Sequence, residues 1–156
     1  MAACTFFGHH DCPEHIRPKL RETIIDLILN ENVDMFYVGN HGHFDSMVRS
    51  ILRELQTAYP QIGYAVVLAY MPGKQVEGYT DNYADSMLPE GIESVPKRFA
   101  ISWRNNWMLD HVDYAVTYIT HSWGGAAQFA QKAERQRKVI CNLADRKYSA
   151  LTSSGK

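Results

Sequence analysis

Apolar positions along the chain switch repeatedly between short unbroken runs and a spacing of three and four. CTFFG (4–8) is an unbroken run and predicts a strand, and EHIRPKLRETIIDLILNE (14–31) then repeats Ile16, Leu20, Ile24, Leu27 and Ile28 at helical spacing. Pro18 belongs in the first turn of that helix, where a missing N–H costs little, and Glu14 near its start suits the helix dipole. DMFYVG (34–39) predicts a second strand. FDSMVRSILRELQTAY (44–59) predicts a helix with Met47, Val48, Ile51, Leu52 and Leu55 on one face and Pro60 as its stop. GYAVVLAYM (63–71) predicts a third strand, rich in β-branched and aromatic residues.

The pattern then lapses. Residues 72–96 are rich in Gly, Pro, Asp and Tyr and lack a sustained period, so they predict a long loop with one helical turn near Asn82–Met87. KRFAI (97–101) predicts a short strand and SWRNNWMLDHV (102–112) a helix capped by Ser102. DYAVTYIT (113–120) predicts a strand, HSWGG (121–125) a turn, AAQFAQKAERQR (126–137) a helix and KVICNLA (138–144) the last strand. A polar tail fills 145–156, leaving one domain over 3–144. Strand–helix alternation of this kind predicts an α/β fold, Rossmann-like, with three α/β/α layers and a mainly parallel sheet. Ligands of such folds bind beyond the carboxyl ends of the strands, where strand order reverses.

Composition narrows the function classes. The 156 residues, 46% hydrophobic and 21% charged, are ordinary for a globular protein that buries a core. A net charge of -1 argues against sustained contact with a nucleic-acid backbone. No stretch approaches the roughly 18–20 apolar residues of a membrane span, and MAACTFFGHH lacks the basic start of a signal peptide. Cys4, Cys12 and Cys141 have no paired spacing and read as reduced thiols of a cytoplasmic protein, Cys4 and Cys141 in the core.

Glycines sit at three strand ends, each just ahead of a helix: Gly8, Gly39 and Gly124-Gly125. Glycine lets backbone N–H groups approach an anion, and a helix N-terminus adds partial positive charge. Singly, each is explained by a tight turn. Together, with His9, His10, Asn40, His41, Thr120, His121 and Ser122 beside them, they predict a lobe for a phosphorylated ligand. Walker A and the dinucleotide GxGxxG are both absent; GNHGHFD lacks the third glycine. Seven histidines raise the question of a metal, but no structural zinc spacing is matched and none is expected.

The segments GHHDCPEH, YVGNHGHFDSMV, RNNWMLDHVDYAVTYIT and HSWGGAAQFAQKAERQRKVICNL, in that order, resemble the SLOG superfamily. That Rossmann-like group includes cytokinin-activating phosphoribohydrolases, the core of a bacterial DNA-processing protein and nucleotide-sensing domains of prokaryotic conflict systems. The resemblance covers most of 3–144, least of all 72–97, and is to a small stand-alone bacterial member. It implies that Gly8 and His9 form the first ligand loop and that Gly39, Gly42 and Asp45 form the second. It also implies that Arg104 and Asn105 are a ligand-side pair and that Gly124 and Gly125 make the phosphate turn. It further implies self-association through helices, which the apolar surface of 44–59 and 102–112 also favours.

The chain departs from the phosphoribohydrolase pattern Pro-Gly-Gly-x-Gly-Thr-x-x-Glu. No carboxylate occurs between Ser122 and Ala133, and Gln128 or Phe129 falls where the catalytic glutamate is expected. Binding of a nucleotide-like ligand by a sensor or sequestering module, without a further cofactor, is therefore the first expectation. The alternative is a nucleotide-processing N-glycoside hydrolase using Asp45, Asp110 or a histidine. A scaffold with a vestigial pocket is the third. Several residues have two readings at this stage: Asp45 stabilises a helix start or holds a ribose, Arg104 is exposed or pairs with phosphate, and His43 lies near the ligand or away from it. Trp103 and Trp107 pack in a core or interface, or else form a platform for a base.

Overall fold

The structure, a computed structural model, describes residues 2–70 and 85–144. β1 (Ala2–Gly8) leads through a 3-10 turn, Glu14–Ile16, into α1 (Arg17–Asn30), with Pro18 in the first turn as expected. β2 (Val33–Val38), α2 (Gly42–Ala58) and β3 (Gly63–Val67) follow. Beyond the undescribed residues come β4 (Ser86–Met87), a 3-10 turn at Ile92–Ser94 and α3 (Lys97–Asp110). β5 (Tyr114–Tyr118), α4 (Gly125–Arg135) and β6 (Val139–Asn142) complete the described chain.

The six strands form one sheet in the order β4-β3-β2-β1-β5-β6, and every pairing is parallel. Central β1 is buried on both faces from Cys4 to Phe7, which is why its sequence runs apolar rather than alternating. Cys4 and Phe6 join the core under α1 and α2, with Leu20, Ile24 and Leu27 from the first helix and Met47, Ile51 and Leu55 from the second. Phe7 faces the other way, into a smaller core with Met108 and Leu109 of α3 and Phe129 and Ala133 of α4. Burying each such side chain contributes roughly 1.5–3 kcal/mol. Cys4, Cys12 and Cys141 are all buried thiols. Burial pushes Cys12 up to about 11, away from the reactive thiolate form.

Two local expectations are corrected. KRFAI is the start of α3, not a strand, and Ser102 lies inside that helix rather than capping it. Pro96, extended at φ -56 and ψ 140, ends the loop, and Phe99 N–H donates to its carbonyl (2.8 Å). Ala100, Arg104 and Met108 are the buried face at a spacing of four, whereas Phe99 and Ile101, the apolar pair that mimics a strand, face outward. Of the turn expected at Asn82–Met87, residues 82–84 lie outside the described residues, and Ser86–Met87 pairs with Val66–Val67 as β4. The polar tail at 145–156 also lies outside them.

The strand order places the reversal at β1. Through α1 and α2 the chain moves from β1 to β2 and β3; through α3 it crosses back to β5 on the other side of β1. The carboxyl ends of β1 and β5 are thus neighbours at a switch point.

Candidate functional site

Gly8 ends β1 where no larger residue fits, because an added Cβ would lie 2.8 Å from Cδ1 of Phe44 and closer still to its Cγ and Cδ2. The next residue, His9, is buried and ties two strand exits together. Its N–H donates to the Tyr118 carbonyl (3.2 Å), and its Nε2 accepts the Thr120 N–H (3.1 Å). An accepting Nε2 puts the imidazole proton on Nδ1. The ring stacks on His121, centroids 3.8 Å apart, which stacks in turn on Trp123, also at 3.8 Å. Burial, then the neighbouring His121, lowers the His9 pKa.

The second turn is organised around Arg104 of α3, which is only 2% exposed. Its Nε donates to Asn105 Oδ1 (2.8 Å), and its Nη1 to the Val67 carbonyl (2.9 Å) and to Asn40 Oδ1 (3.3 Å). Nη2 lies 3.5 Å from His41 Nδ1, which must accept because the guanidinium has only donors. Burial, and after it Arg104, lowers the His41 pKa. Gly39 makes this convergence possible: a Cβ there would stand 2.7 Å from Arg104 Nη1 and 2.8 Å from Asp45 Oδ2. Asp45 reaches back to accept the His41 N–H at the head of α2 (3.1 Å). Burial pushes its carboxyl up, against the lowering effect of Arg104. Gly42, at φ +88, carries the ring of His10 against its backbone, and His43 N–H donates to the His10 carbonyl (3.0 Å).

The third turn is the open one. Gly124 has φ +97 and ψ 166, backbone that L side chains rarely adopt, and caps α4. Nothing lies within 4 Å of a Cβ built on Gly124 or Gly125. The first N–H groups of α4 have no intrahelical partner, and its first turn holds no acidic residue.

A cleft of about 390 Å³ lies between the three turns, walled by α3. It brings together Gly8, His9, His10, His41, Asp45, Arg104, Asn105, His121, Gly124 and Gly125 of the expected residues. Gly39, Asn40, Gly42 and Thr120 are outside that lining but touch its members. Ser122 is exposed, its carbonyl accepting from Gln131 (3.4 Å). The lining also contains Asp11, Trp123, the buried Phe6, Phe7 and Met108, Ala126 and, with part of its exposed side chain, Ile101, none singled out in the sequence. Trp123 lies inside the quoted HSWGG, but an exposed tryptophan reads like a core one until its neighbours are known.

Other candidates fall elsewhere. Trp107 packs edge-on against Tyr37 (5.3 Å) and stacks on His111 (3.9 Å). Trp103 lies beside Gly91, where an added Cβ would stand 3.7 Å from its ring. His43 Nε2 meets Glu14 Oε1 at 2.9 Å on the surface, and Asp110 is exposed at the far end of α3. Among the described residues no cluster of His, Cys, Asp and Glu is placed to hold a metal, and no helix is long and apolar enough to cross a membrane.

Comparison with known proteins adds one result. The crystal structure of DNA processing protein A (DprA) from Streptococcus pneumoniae superposes with a TM-score of 0.65 over 90% of this chain, at 13% identity. The fold is Rossmann-like and similar to that of DprA. This chain spans 49% of the DprA chain. No protein-family profile matches the sequence, and no curated protein does.

The depressed His9 and His41 pKa values set a pH dependence. Both groups bind protons less readily folded than unfolded, where the value is near 6.5. Their stabilisation is complete above that pH and is lost as pH falls through the folded-state values. Thermal unfolding is expected to show a falling midpoint below pH 6.5. His9→Gln, whose amide oxygen can still accept the Thr120 N–H, is expected to flatten that fall.

Proposed function

We propose that the cleft binds a nucleotide or nucleotide-derived ligand and that the protein is a SLOG-type sensor or sequestering module. The observation that carries this reading is the bare turn at Gly124-Gly125. It offers unpartnered helix N–H groups, open space and a first helical turn without a carboxylate, and it lines a cleft at the switch point. The ligand's phosphate sits on this turn, and Asn105 and His41 share the cleft lining with it. Arg104, with most of its donors already engaged, has one Nη2 hydrogen left for the ligand and otherwise holds the wall. Absence of turnover is supported by Phe129 and Gln128. The first is stacked on Phe7 in the core at 5.6 Å, the second is exposed, and neither is an acid.

A hydrolase is the second reading, favoured by one observation: Asp45 lines the cleft with its carboxyl raised by burial, as a general acid requires. A panel of nucleotides separates the two. Thermal shift without product on chromatography supports a binding module, product formation that Asp45→Asn abolishes supports the hydrolase, and neither supports a vestigial pocket. DprA is named for DNA processing, but the net charge of -1 favours a small ligand here. The buried thiols fit a reducing, cytoplasmic setting. Self-association would fall to Phe99 and Ile101 of α3, because the apolar residues of α2 are consumed by the core.

Gly125→Asp tests the phosphate turn. Its position is the first of α4, where an added carboxylate stabilises the helix by about 0.3–1 kcal/mol and meets no steric obstacle. The variant is expected to melt at or above the wild-type temperature and to lose at least tenfold in nucleotide affinity. Unchanged affinity in calorimetry would move the ligand off this turn.

A further inference from the structure

Trp123 is 68% exposed, the most exposed of the large hydrophobic side chains described, yet it is not loose. One face of its indole lies on His121, centroids 3.8 Å apart and planes at 18°. His121 lies on His9 at 3.8 Å and 14°, and His9 meets the edge of Tyr118 at 6.4 Å and 83°. His9 is itself clamped by the Thr120 N–H. His121 Nδ1 is buried without a hydrogen-bond partner, so ring contact rather than hydrogen bonding orients that imidazole. The ladder rises from the end of β1 to the rim of the cleft and finishes in an indole whose second face is covered by nothing in the ladder.

Such an arrangement contributes little to the core, because its top ring remains in water. What it does is hold an aromatic plane in place before any ligand arrives, removing the side-chain entropy cost of ordering it on binding. An indole held this way recognises another flat π-system, and stacking tolerates any base. Trp123 directly precedes Gly124, so the plane and the bare phosphate turn are within reach of one small ligand.

We propose that Trp123 is the base platform of the site, so that the ligand class is a nucleoside phosphate and not a bare sugar phosphate. This rests on the phosphate turn proposed above and adds the base to it. The test is calorimetry with adenosine 5′-monophosphate and with ribose 5-phosphate, alongside tryptophan fluorescence. The nucleotide is expected to bind about tenfold more tightly than the sugar phosphate and to quench the emission. Trp123→Ala is expected to bring the two affinities together, and Trp123→Phe to restore part of the gap without the quench. Equal wild-type affinities would overturn the platform and leave the phosphate turn standing, as would a Trp123→Ala variant in which both ligands weaken by the same factor. Binding of neither ligand would overturn the nucleotide reading itself, and the platform with it.

Discussion

Gly8→Ala is expected to destabilise the protein by about 3 kcal/mol, a large share of the roughly 5–15 kcal/mol that holds a domain of this size together. The reason lies in the stem of one ring. An added methyl would meet Phe44 at Cγ and both Cδ atoms, and Phe44 is 1% exposed in the first turns of α2. A clash with the end of a flexible side chain is relieved by a rotation, but one with Cγ is not. Either β1 shifts in a sheet that pairs it on both sides, or the head of α2 retreats and leaves a void. Retreat would also strain the His43 N–H bond to the His10 carbonyl, so the first two turns of the cleft would separate. Urea unfolding measures the loss. A midpoint within error of wild type would mean that the β1 exit and α2 pack less closely than described.

Arg104→Met comes next in size, with an expected loss of about 3 kcal/mol. Methionine keeps the apolar stem but none of the donors. Val67 loses its 2.9 Å partner, Asn105 its 2.8 Å partner, and half-buried Asp45 the cation that most favours its charged form. Arg104→Lys, which cannot serve such divergent acceptors from one ammonium, is expected to fall between wild type and Arg104→Met. The unliganded protein is the sample that decides. If the guanidinium is a strut between α3 and the ends of β2 and β3, stability falls with no ligand present. If it served only as a buried cation awaiting phosphate, removing it would raise the unfolding midpoint while abolishing nucleotide binding.

The roles of glycine divide by the same geometry. Gly8 and Gly39 are required by side chains that pack against them, Phe44 of α2 in one case and, in the other, Arg104 of α3 together with nearby Asp45. Gly124 and Gly125 are crowded by nothing. Three turns that look alike in sequence therefore do different work: two let the scaffold close tightly, and the third stays open to the cleft.

Alternating apolar periods were enough to predict the parallel α/β architecture and, at its described elements, most boundaries to within a few residues, because period follows directly from backbone geometry. The strand ends, their glycines and ten cleft-lining residues were legible for the same reason: in a parallel sheet, chain order alone sends every strand exit to one edge. Burial was not legible. Arg104, open in sequence between an exposed cation and a phosphate partner, is 2% exposed, and nothing in the turn HSWGG told that Trp123 would stand 68% exposed. KRFAI reads as a strand because two apolar side chains flank Ala100, and only packing shows that the outer two face solvent while Ala100 turns inward. Which side of β1 receives β5, and with it the meeting of His9, Thr120 and His121 over residues more than a hundred positions apart, is a property of the crossover through α3. Local sequence carries the spacing of side chains along one element, whereas the partner that a side chain finds is set by long-range contacts that no window of the sequence contains.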